Sequence, residues 1–78
     1  MTWLTEIVAA FEALGGTANY EELYSYIRTH TSRKLPTSWR AIIRSVVERR
    51  SSDSQAFNGK KDLFYSVNGL GKGVWGLR

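Results

Sequence analysis

The chain has 78 residues, 42% of them hydrophobic and 13% aromatic, which is enough apolar side chain for one core and none to spare, so residues 1–78 read as a single globular domain. The absence of cysteine excludes disulfide staples and thiolate metal ligands and fits a reducing cytoplasm; the start lacks signal-peptide character, and no apolar run approaches a membrane span. The formal charge of +4 is spread unevenly: residues 1–32 hold four carboxylates against Arg28, net −3, whereas residues 33–78 hold ten Lys or Arg against Glu48, Asp53 and Asp62, net +7, the electrostatic footprint of a polyanion binder.

In chain order, Thr2 caps a first helix whose apolar face is Leu4, Ile7, Val8, Phe11 and Leu14, and Gly15-Gly16 ends it. A short extended piece follows around Thr17 and Ala18. Asn19 and Glu22 have capping-box spacing, and Tyr20, Leu23, Tyr24 and Ile27 form the apolar stripe of a second helix that reaches about His30. Thr31-Ser32-Arg33-Lys34-Leu35-Pro36 is polar, basic and closed by proline, hence a turn. A third helix is expected from Pro36 or Thr37 to about Arg50, with Trp39, Ile42, Ile43, Val46 and Val47 inward and Thr37, Ala41, Arg44, Ser45 and Glu48 outward.

Ser51-Ser52-Asp53-Ser54 opens a loop that continues through Lys60 and Lys61. Leu63-Phe64-Tyr65-Ser66-Val67 and Val74-Trp75-Gly76-Leu77 read as strands of a hairpin tipped by Asn68-Gly69-Leu70-Gly71-Lys72-Gly73. The expected class is therefore α+β, a winged helix-turn-helix with three helices and a C-terminal two-stranded β-hairpin wing.

The third helix carries the functional signal. Its outward side offers Arg40 and Arg44 on successive turns around Ala41, long cations for phosphates or guanine edges beside a small residue for close approach. Thr37 and Ser38 stand where backbone N–H groups meet a phosphate. Arg33, Lys34, Lys60, Lys61 and Lys72 are expected phosphate contacts, Lys72 from the wing tip. That glycine-rich tip matches neither nucleotide-binding fingerprint. Most aromatics belong to the core. His30 has no acidic or cysteine partner at ligand spacing, so neither catalysis, a metal nor a cofactor is expected.

Five segments in order, Ala13-Leu14-Gly15-Gly16, Leu35-Pro36-Thr37-Ser38-Trp39-Arg40, Ser51-Ser52-Asp53-Ser54, Asp62-Leu63-Phe64-Tyr65-Ser66-Val67 and Gly71-Lys72-Gly73-Val74-Trp75-Gly76-Leu77-Arg78, resemble bacterial winged-helix domains attached to restriction-type and HNH-type nucleases, similar in plan to the HARE-HTH domains. The resemblance implies a module that directs a nuclease domain or subunit to DNA. It further implies a reader of modified bases such as N6-methyladenine, with detection on the third helix and on Ser52, Asp53 and Ser54, and with Trp39 or Tyr65 as pocket walls. Double-stranded DNA is thus the expected partner. The rival reading is a winged helix that docks an acidic protein through the same basic face.

Overall fold

A computed structural model describes residues 2–69 and 71–78, so Leu70 at the hairpin tip lies outside the described residues. Its elements run α1 (Trp3–Ala13), β1 (Thr17–Asn19), α2 (Tyr20–His30), α3 (Trp39–Arg49), β2 (Phe64–Ser66) and β3 (Val74–Leu77).

Local chemistry sets the helix ends. Thr2 Oγ1 accepts from Thr5 N at 3.1 Å and caps α1. Gly15 and Gly16 adopt φ of +92° and +97°, which lets Gly16 N reach Phe11 O at 2.7 Å and Gly15 N reach Glu12 O, the paired bonds that close a helix C-terminus. Asn19 and Glu22 form a reciprocal capping box at 2.8 and 2.9 Å, so α2 starts directly on the last residue of β1.

α3 starts later than expected. Pro36 O accepts from Trp39 N at 3.1 Å, making residues 36–39 a separate turn, and helical geometry begins only at Trp39. Pro36 and Thr37 therefore precede the helix, and Ser38 occupies its N-cap without a side-chain cap bond.

The sheet is larger than a two-stranded wing. β3 lies at the centre, antiparallel to β2 on one side and β1 on the other, in the order β1-β3-β2. The extended piece at Thr17 pairs with Gly76, Ala18 with Trp75 and Asn19 with Val74. The hairpin register pairs Phe64 with Leu77, Tyr65 with Gly76 and Ser66 with Trp75. Side chains alternate across a strand, so Phe64, Ala18 and Trp75 share the face turned to the helices, and all three are buried.

One core joins the layers. Phe11 of α1 and Phe64 of β2 are fully buried with ring centroids 5.1 Å apart. Ile7, Leu23, Ile43 and Val47 complete the helical side, each at most marginally accessible. Ile42 and Val46, expected inward on α3, are only partly buried, leaving Trp39, Ile43 and Val47 as its true inner face.

Candidate nucleic-acid interface

α3 crosses the molecule with Trp39, Ile43 and Val47 inward, so a rotation of 100° per residue turns Arg40, Ala41 and Arg44 outward, and all three are exposed. α2 lies beside that arc and presents Tyr20 and Tyr24, one turn apart. The two pairs of residues meet rung by rung. The Arg40 guanidinium carbon lies 4.5 Å from the Trp39 ring centroid and 5.9 Å from that of Tyr24, and the Arg44 carbon lies 5.4 Å from that of Tyr20. The rings themselves interlock: Tyr20 stacks on Tyr24 at 5.9 Å, and Tyr24 meets Trp39 edge to face at 5.6 Å. Cation-π contact orients a guanidinium without using its N–H donors.

The three carboxylates of the basic half each have a partner other than the Arg40 and Arg44 guanidinium groups. Asp53 and Asp62 both pair with Arg78, at 3.3 and 2.9 Å. Glu48 Oε2 accepts from the Tyr20 hydroxyl at 2.8 Å. Burial, and then that hydrogen bond, push the Tyr20 phenol well above its ordinary range and favour its role as a donor to Glu48. Among the described residues, Arg40, Arg44, Arg49, Lys34, Lys60, Lys61 and Lys72 form no ion pair. With Asp53 and Asp62 engaged by Arg78, those seven cations have no acidic partner among the described residues.

A groove of about 480 Å³ runs beside α3. Arg44, Glu48, Tyr20 and Trp75 line it together with Ser54 and the tip residues Gly71 and Gly73. Lys72 lies in the chain between those two glycines and is exposed. A second depression of about 370 Å³ is lined by Ala41, Ser45 and Arg49. It shares Arg44, Glu48 and Ala56 with the first, so the Arg44 and Glu48 side chains border both.

The remaining candidates fall into three groups. Lys34, Thr37, Ser38, Lys60 and Lys61 are exposed in the segments flanking α3 and β2. Arg33 is drawn back to α1, with Nε 2.7 Å from Glu6 Oε2 and its guanidinium carbon 4.4 Å from the Trp3 ring centroid. Burial works against the Glu6 carboxylate, but hydrogen bonds from Thr31 and Arg33 outweigh it and hold its pKa below the ordinary value. Ser52 and Asp53 belong to an internal knot. Ser52 N and Oγ donate to the Asp62 carboxylate at 2.9 and 2.6 Å, Ser66 N donates to Asp53 at 2.9 Å, and Arg78 Nε donates to Asp62 and to Phe64 O.

Trp39 and Tyr65 do not share a pocket. Trp39 is 7% exposed and packed into the helical layer. Tyr65 alternates with Phe64 and Ser66, which puts it on the outer face of the sheet, where its ring covers Gly76. Tyr20, Trp75 and Glu48 line the groove instead. Glu48 was visible in sequence as an outward position on α3, whereas Tyr20 was hidden in an apolar stripe.

No protein-family model, curated protein or solved structure matches this chain. No helix among the described residues is long and apolar enough to cross a membrane.

Proposed function

We propose that the chain is a non-catalytic winged-helix module that binds double-stranded DNA, with α3 in the major groove and the loop around Lys72 as the wing. The element order supports it: helix, strand, helix, helix, strand, strand, with the first short strand completing the hairpin's sheet, is the winged-helix plan. The observation that carries the reading is the pair Arg40 and Arg44, held on aromatic rings, exposed, and free of ion pairs among the described residues. Arg40, Arg44 and Lys72 then carry most of the contact, Lys34, Lys60 and Lys61 add phosphate neutralisation, and Ser52 and Asp53 serve the fold. In keeping with the sequence resemblance, the module would direct a nuclease domain or subunit to its target.

The test is a fluorescence-anisotropy titration of labelled duplex between 50 and 200 mM salt. Affinity falls steeply with salt, Arg44→Ala costs about 1–3 kcal/mol, and Lys72→Ala weakens every duplex alike while lowering the salt slope by about 1. An affinity indifferent to salt, or no binding to duplex at moderate salt, overturns the proposal and favours an acidic protein as partner. Repeating the titration with N6-methyladenine in the duplex tests the modified-base expectation separately.

A further inference from the structure

Arg44 and Glu48 stand one turn apart on α3, a spacing that brings Cβ atoms within about 5–6 Å and ordinarily lets opposite charges close on each other. Here they remain apart: among the described residues Arg44 forms no ion pair. A single tyrosine from α2 holds both by different chemistry. Its hydroxyl donates to Glu48 Oε2 at 2.8 Å, and its ring bears the Arg44 guanidinium at 5.4 Å. Ring contact spends none of the guanidinium donors, and the hydroxyl takes only one of the two carboxylate oxygens. A donor fork and an acceptor are thereby fixed side by side in the lining that the two grooves share.

A carboxylate on a surface that meets phosphates is repulsive unless it faces a donor. The donors that the major groove offers are the exocyclic amines, N4 of cytosine and N6 of adenine. The fork beside it matches the O6 and N7 acceptors of guanine. The base paired with guanine is cytosine, so one G·C pair satisfies both side chains at once.

Building on the DNA-binding reading, we infer that Tyr20 sets Arg44 and Glu48 as a joint reader of one G·C base pair, Arg44 donating to guanine O6 and N7 and Glu48 accepting from the cytosine N4 amine. Tyr20 touches neither base and is a positioning residue. Its hydroxyl aims the carboxylate and its ring aims the guanidinium, so its two halves govern the two halves of the pair.

The experiment selects bound sites from randomised duplexes with the full chain, then measures Kd on the best site carrying single-atom base changes. At the pair in question, 7-deazaguanine removes N7, and N4-methylcytosine removes the N–H that faces the major groove while preserving pairing. Each change is expected to weaken the unaltered protein on the order of tenfold. The deazaguanine penalty should vanish in Arg44→Ala, and the methylcytosine penalty in Glu48→Ala. Tyr20→Phe, which keeps the ring, should lose the methylcytosine penalty and retain the deazaguanine penalty. Equal affinity for all four base pairs at every position, or penalties that persist in the matching variants, overturns the inference and leaves duplex binding standing. If no duplex binds in a salt-dependent way, the inference and the proposed function fall together.

Discussion

Gly76 has no unusual backbone angle, yet it leaves no space for a side chain. A Cβ built there would lie 2.7 Å from Tyr65 Cε1 and 3.0 Å from Thr17 Cγ2, because Gly76 sits in the central strand opposite both residues. The Tyr65 ring lies across the glycine and gains a flat apolar seat. Gly76→Ala must push that ring off its rotamer or shift the strand, so we expect a loss of about 1–3 kcal/mol in urea unfolding. Removing the ring as well, in a Tyr65→Ala background, should make the same glycine change less costly, leaving only the contact with Thr17 Cγ2. Nothing local in Val74-Trp75-Gly76-Leu77 announces this, because the clash comes from two strands distant in sequence. Tyr20 was obscured for the same reason. Its place in the stripe with Leu23, Tyr24 and Ile27 is legible, but its hydroxyl finds Glu48 28 positions on. Only the packed molecule reveals that this ring has a polar task.

At the level of elements, the helices were legible because each combines 3.6-residue periodicity with a strong end signal. Thr2, Gly15, Asn19 and Glu22 all act as their side chains predict. The start of α3 was not legible, since Pro36 favours both the first turn of a helix and a free-standing turn, and here the turn prevails. The third strand was equally hard to read. Thr17 and Ala18 were expected to be extended, but three residues carry no sign of a partner more than fifty positions away. Capping should be measurable at α2: Asn19→Ala removes the acceptor of the Glu22 amide while the residue 19 N–H can still donate to Glu22, and should cost about 1 kcal/mol, with the amide of Glu22 losing hydrogen-exchange protection first. Ser25→Ala, at an exposed interior position of α2, has no cap to lose and serves as the control.

For the whole molecule, charge is arranged so that Glu6, Asp53 and Asp62 brace the structure while many of the bases form no ion pair among the described residues. Glu6 holds the α2–α3 connection through Thr31 and Arg33. Asp62 is held below its ordinary value by hydrogen bonds from the Ser52 side chain and backbone, with Arg78 adding to them. Both carboxyls are depressed in the folded state relative to ordinary values of 4.5 and 3.8. In that case the unfolded chain binds more protons over the window just below those values, so the contribution to stability is complete above them and disappears as pH falls through the lower, folded pKa. Urea midpoints should therefore be flat near neutrality and decline below about pH 4.5. Glu6→Gln should lower the neutral midpoint and flatten the acid decline. A midpoint that rose on acidification would contradict this bracing.

The central position of β3 ties the loop around Lys72 to the tyrosine beside α3. Gly73 leads into Val74, Val74 pairs with Asn19, and Asn19 passes straight into Tyr20. The loop is therefore one strand pair away from the ring that carries Arg44 and the hydroxyl that carries Glu48. On the proposed DNA-binding reading, the part that grips the backbone of a duplex and the part that inspects its bases are anchored in the same sheet, which sets the distance between them.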